Sequence, residues 1–207
     1  TPVYYLSQRG GFRNVYRFYY ASAHWVLDVE TDETGFVWYR VLDDLNQRLY
    51  YVPAEHLRRI PAEELAPLSP GVPGKRIEVD LQNQRLAAYE GGRQVLDAPI
   101  ATGLSAGATP TGEFFVERKR PSRHMAAASR GPGFYDLPGV PWVCFILWTG
   151  VSTHGTYWHN DYGRPRSHGC INLTPEDARW VYRWTEPVVP PEEDFLKSES
   201  GTTVVVF

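Results

Sequence analysis

The sequence predicts a mainly β protein with one or two helices, arranged as a small β-barrel module followed by a larger β-sandwich-like domain. Three observations point there. Short aromatic and β-branched runs alternate with polar turns, a proline-rich stretch divides the chain, and one segment late in the sequence carries a strong helix start.

In the first module, residues 1–66, Phe12, Tyr16, Phe18, Tyr19, Tyr20 and Trp25 lead into two aromatic runs, Phe36 to Val41 and Leu49 to Pro53. The turns Asp32-Glu33-Thr34-Gly35 and Asp43-Asp44-Leu45-Asn46 separate these runs, as strands joined by tight turns require. Gly35 to Val41, then Tyr51-Val52-Pro53 and a short turn over Ala54 to Leu57, resembles a bacterial SH3-type barrel. Residues 67–73 read as a linker, with prolines at 61, 67, 70 and 73 marking the break.

The second domain, residues 74–207, opens with strands from Lys75 to Val116. Lys119 to Pro138 has no clean period and reads as a long loop with at most one helical turn. Trp142 to Trp148 is an apolar run that reads as a buried strand, with Cys144 a small core residue. Thr174-Pro175-Glu176-Asp177 combines an N-cap, a first-turn proline and two acids, so a helix should start there. Ala178, Val181 and Tyr182 recur at helical spacing, giving a helix to about Arg183, stopped by Pro187 and bracing the loop before it.

Bulk properties exclude several classes. A hydrophobic fraction of 43% in 207 residues suffices for a real core. The net charge of −3 and the lack of a Lys/Arg cluster give no reason to expect a nucleic-acid partner. No run approaches the roughly 18 apolar residues of a membrane span. The chain starts at Thr1 without a signal-peptide pattern, as a processed or trimmed export product would. Two cysteines rule out a disulfide framework, and a Cys144–Cys170 bridge would consume the nucleophile described next.

The chemistry concentrates in Ser167-His168-Gly169-Cys170-Ile171-Asn172, with His154-Gly155 upstream. A free thiol titrates at about 8.5, so little of it is thiolate at neutral pH. A neighbouring imidazole can take the proton and leave an ion pair. The glycine before Cys170 lets a substrate carbonyl approach the amides of Gly169 and Cys170, the expected oxyanion donors. His168 lies two residues before Cys170, so in an extended segment both share a face. It would tune the thiolate, wall the site or orient the loop.

These residues resemble the YkuD family, the L,D-transpeptidases of bacterial cell walls. That family's signature is His-Gly, a spacer, Ser/Thr-His-Gly-Cys, an apolar residue and Arg or Asn. Arg76 to Leu81, the hairpin from Gln84 to Leu96, Ala101-Thr102-Gly103, Thr109 to Phe114 and Gly201 to Val205 follow the family's order, so the likeness covers about residues 74–207. The resemblance implies that Cys170 attacks the amide before a terminal D-residue of a peptidoglycan stem peptide. D-alanine leaves, and an amine from a neighbouring stem resolves the thioester into a cross-link. His154 would serve as the base and the Gly155 carbonyl would orient it. No cofactor or metal is implied. Carbapenems are expected inhibitors, cell-wall biogenesis and cell shape the process, and an extracytoplasmic wall or periplasm the location. Ser167 and Asn172 would hydrogen-bond within the loop or touch substrate, and Arg164 and Arg166 could meet a stem-peptide carboxylate. Where the family often has Pro-Tyr, this chain has Pro141-Trp142. An indole has no hydroxyl, so Trp142 is expected in the core.

Three rival readings stand beside this one. His154, His159, His168 and Cys170 could hold zinc, but neither a Cys-x-x-Cys nor a His-x-x-x-His pair occurs among them. Water could resolve the thioester, giving an L,D-carboxypeptidase or related cysteine hydrolase. A non-enzymatic wall-binding protein could retain the fold, with the aromatic first module positioning it on the wall.

Overall fold

The computed structural model describes residues 1–6, 11–127, 131 and 133–207. The first five strands are β1 (Pro2–Leu6), β2 (Phe12–Arg17), β3 (Val26–Thr31), β4 (Val37–Leu42) and β5 (Leu49–Pro53). They form one sheet in the order β2-β1-β5-β4-β3 around Val3, Phe18, Val41, Tyr50 and Val52. Aspartates make the turns: Asp32 accepts the amides of Thr34 and Phe36 at 2.9 and 3.0 Å, and Asp43 accepts those of Leu45 and Asn46 at 2.9 and 3.2 Å.

Among the described residues β2 and β3 do not pair, so the sheet stays open where the SH3-like reading expects a barrel. The segment between them is engaged elsewhere. Ala23 N donates to Gly139 O at 2.9 Å, and Ser122 Oγ donates to Ala23 O at 2.6 Å. His24 stacks on Phe18, and burial pushes its imidazole down to about 3. Gly139 has φ +68°, and a Cβ there would lie 2.2 Å from His24 Cε1, so no other residue fits this junction.

The proline-rich segment does not swing free. A 3-10 turn over Ala62–Leu65 brings Glu64 to Arg179, whose Nη2 donates to its carbonyl at 2.8 Å and its carboxylate at 2.7 Å. Leu68 N donates to Arg183 O at 3.0 Å, and Ile60, Leu65 and Leu68 pack against the larger core.

The larger domain holds β6 (Lys75–Asp80), β7 (Arg85–Glu90), β8 (Arg93–Pro99), β9 (Gly112–Phe115), β10 (Arg118–Ala126), β11 (Asp136–Phe145), β12 (Ser152–Gly155), β13 (Ile171–Leu173), β14 (Leu196–Lys197) and β15 (Thr203–Val206). One sheet runs β8-β7-β6-β15-β9, the other β13-β12-β11-β10-β14. Period-2 alternation turns Ile77, Val79, Leu86, Ala88, Val204 and Val206 inward. They share a core with Cys144, Ile146, Ile171 and Leu173 of the second sheet, and Trp142 joins it as the core residue the sequence suggests. Cys144 and Cys170 are both free thiols.

The helix α1 (Pro175–Trp184) has Thr174 as its N-cap, accepting from Asp177 N at 3.0 Å, and it packs against β11, β12 and β13. It ends one residue beyond the expected position. The loop reading of Lys119–Pro138 is corrected. Its first part is strand β10 and its last part begins β11, while Ala128, Ser129, Arg130 and Pro132 lie outside the described residues. The periodicity was hidden because polar side chains fill inward positions. Lys119 is 1% exposed, and its Nζ donates to the carbonyls of Tyr182 (2.5 Å), Thr185 (2.8 Å) and Pro187 (2.8 Å) at the end of α1. Among the described residues no helix is long and apolar enough to cross a membrane.

Candidate active site

Cys170 and His154 meet because β12 and β13 run parallel, with Thr153 paired to Ile171, His154 to Asn172 and Gly155 to Leu173. Parallel strands need a crossover, and here residues 156–170 supply it, ending in the turn that carries Cys170. Alternation along β12 sends Ser152 and His154 to one face. Cys170 Sγ lies 3.6 Å from Ser152 Oγ and 3.7 Å from Gly150 O.

His154 is buried, and its Nδ1 lies 3.0 Å from the Gly155 carbonyl. That acceptor fixes the proton on Nδ1, leaving Nε2 as the basic nitrogen. Burial alone would push the Cys170 thiol up. The hydrogen bond and charge of His154, with smaller help from Ser152, outweigh it and hold the thiol below its ordinary value. The pair can therefore generate a thiolate and return a proton.

The turn carrying Cys170 is held from both sides. Ser167 Oγ donates to Cys170 O at 2.5 Å and accepts from Gly169 N at 3.0 Å, so its hydroxyl is committed within the turn. The Gly169 amide, expected as an oxyanion donor, is thus engaged by Ser167. The role of Gly169 here is steric: at φ +146° a Cβ would lie 2.7 Å from Ala108 O. Thr109 Oγ1 accepts from Gly103 N at 2.9 Å and donates to Gly169 O at 2.8 Å, tying the 101–109 loop to the turn.

The remaining sequence candidates separate. His168 is exposed on the rim, with its ring 5.4 Å from that of Tyr135 on the β10–β11 arm. Arg166 lines the cleft and pairs with Asp161 at 3.3 Å, while Arg164 is bound to Asp161 and does not line the cleft. Asn172 is buried beside His159. His159 Nδ1 accepts from the Asp161 amide at 3.1 Å, which puts the ring proton on Nε2, 2.9 Å from the Asn172 side-chain amide. That contact needs the amide oxygen as acceptor, so His159 orients the Asn172 side chain where it lines the same cleft as Cys170. Among the described residues no group of three or more His, Cys, Asp or Glu could hold a metal ion.

The sequence motifs assign no role to Ser152, Thr109 or Tyr135. The first was accessible: it sits two residues before His154 in a strand. Thr109 begins a motif with no chemical cue of its own. Tyr135 lies just before β11, at a position with no local cue, and burial, then the charge of Cys170, pushes its hydroxyl up. The cleft holds about 630 Å³ and is lined by Cys170, His154, His168, Tyr135 and Trp158 among others.

A family model described as YkuD, the L,D-transpeptidase catalytic domain, matches residues 74–206. L,D-transpeptidase 1 of Mycobacterium tuberculosis is 30% identical over 90 residues, 41% of this chain and 36% of the relative. An Enterococcus faecium L,D-transpeptidase structure superposes with a TM-score of 0.52 at 30% identity, covering 66% of this chain and 50% of that one. An L,D-transpeptidase solved in complex with imipenem shares the fold at 18% identity and a TM-score of 0.53, covering 83% of this chain and 68% of that one. The chain spans 36% to 58% of the length of the curated relatives it matches.

Proposed function

The chain belongs to the YkuD family of L,D-transpeptidase catalytic domains, and we propose that it transfers acyl groups between peptidoglycan stem peptides through a thioester on Cys170. The observation that carries this is the pairing of a depressed thiol with a buried imidazole whose other nitrogen is held by Gly155 O at 3.0 Å.

His154 takes the thiol proton as Cys170 attacks the carbonyl of the L-centre, and the tetrahedral oxyanion forms in the turn beside Cys170 N–H. Collapse breaks the C–N bond. His154 returns the proton to the leaving D-alanine amine, and the acyl group stays on Sγ. An acceptor amine then attacks the thioester, loses its proton to His154 and leaves as a new amide, while the thiolate recovers that proton. Water in place of the amine would give an L,D-carboxypeptidase by the same steps.

A carbapenem offers the same thiol a strained amide that opens without losing a fragment, and a structure sharing the fold was solved in complex with imipenem. Cross-linking of assembled wall peptides would require the enzyme to act outside the cytoplasm.

Intact-protein mass spectrometry after incubation with imipenem or a stem tetrapeptide tests the reading. The native chain should gain one imipenem mass and release D-alanine from the tetrapeptide. Cys170→Ala should do neither, and turnover by that variant would refute the mechanism.

A further inference from the structure

The catalytic cleft is not built by residues 74–207 alone. Leu45, in the β4–β5 turn of the first sheet, lines the same cavity as Cys170 and His154. It is 46% exposed, and Met125 and Leu137 of the β10–β11 arm line the cavity with it. The turn is locked to that arm. Asp44 Oδ1 accepts from His124 N at 2.8 Å, while Asp44 Oδ2 pairs with Arg123 and lies 3.5 Å from Arg120 Nη1. Asp43 Oδ2 meets His124 Nδ1 at 2.7 Å, and His124 Nε2 meets Asp136 at 2.6 Å across the hairpin. Asp43 also receives the Leu45 amide at 2.9 Å, so the contacts that grip the arm also set the position of Leu45.

We propose that the Asp43–Leu45 turn is a substrate-positioning element of the catalytic cleft, with Leu45 supplying apolar wall to the acyl donor and Asp44 holding the arm that supplies the rest. The proposal rests on the transpeptidase reading above. Cys170 marks where the attacked carbonyl must sit, and Leu45 lines the same cavity from a separate sheet. The part of the donor it touches is therefore an apolar portion remote from the scissile amide, a region that a compact β-lactam does not fill. An exposed apolar side chain fixed by a buried carboxylate is well suited to this, because its position costs the ligand little further ordering.

The test uses the full chain and steady-state release of D-alanine from a stem tetrapeptide. Leu45→Ala should raise KM about tenfold, the scale of removing methylenes from an apolar pocket, with kcat changing far less. Asp44→Ala should also raise KM, and Asp44→Asn, which keeps an acceptor for His124 N–H, should recover part of the loss. Leu49→Ala, on the same hairpin outside the cleft, should match the native enzyme. Leu45 is partly exposed, so its variant decides the matter even if Asp44→Ala folds poorly. A Leu45→Ala KM within about twofold of native overturns the proposal. Failure of the native chain to form an imipenem adduct would instead strike the transpeptidase reading itself.

Discussion

His154 faces Asn172 directly across the parallel pair β12–β13. Extending that register by one step sets Ser152 opposite Cys170, and their Oγ and Sγ atoms lie 3.6 Å apart. The thiol therefore sits diagonally next to the imidazole, on the face the strand alternation assigns to both. The site is thus a consequence of register: a slip of one residue would turn His154 to the other side of the sheet.

Removing the imidazole should shift the chemistry of Cys170 upward. With His154→Ala, burial remains and only the smaller contribution of Ser152 opposes it, so the thiol should titrate higher than in the native chain. Alkylation by iodoacetamide, followed against pH, should show the rise in rate moving to higher pH. Donor turnover should fall by about 10²–10⁴-fold. An unshifted alkylation profile would remove His154 from the role of base.

Gly169→Ala should both destabilise and inactivate. A side chain at φ +146° carries strain of about 1–3 kcal/mol, and contact with Ala108 O adds to it. Denaturant unfolding and imipenem acylation should fall together.

Thr109→Val keeps the shape but deletes the hydroxyl bridging Gly103 N and Gly169 O. Both are left without a partner, at a cost of about 1–3 kcal/mol. The acylation rate should drop more than stability alone predicts, because the turn carrying Cys170 loses its tether. Normal acylation in a destabilised protein would show that the tether serves only folding.

The junction between the first sheet and the arm should depend on pH with a definite sign. Burial opposes protonation of His124, but its bonds to Asp43 and Asp136 win, so its pKa is raised on folding. Its contribution is complete below the ordinary histidine value of about 6.5 and is lost as pH rises through the raised folded value. Asp43 is lowered despite burial, through its hydrogen bond with His124, so its share is lost only as pH falls through that depressed value. Melting temperature should therefore drop on the alkaline side of neutrality in the native chain and much less in His124→Gln. Equal slopes would mean that other groups govern the transition.

Much of the site was legible in the sequence because its parts are local. Ser167 to Asn172 is one turn, the capping residues of α1 follow at once, and His154-Gly155 is a dipeptide. The β10–β11 arm was not legible. Lys119 occupies an inward position that a period-2 reading expects to be apolar, and its partners are three carbonyls from residues 182–187. The open first sheet was likewise hidden, since Ala23 and His24 find their contacts at Gly139 and Ser122, about a hundred residues away.

The sequence by itself determined most of the strands, the helix with its cap, and the candidate nucleophile Cys170 with its neighbours in the turn. These follow from side-chain alternation and from bonds spanning a few residues. Only the tertiary structure decided that the amide of Gly169 is taken by Ser167, that Thr109 tethers the turn, and that Leu45 reaches the cleft. Those outcomes depend on pairing between segments far apart in the chain, where a donor meets whichever acceptor the packed core brings within 3 Å.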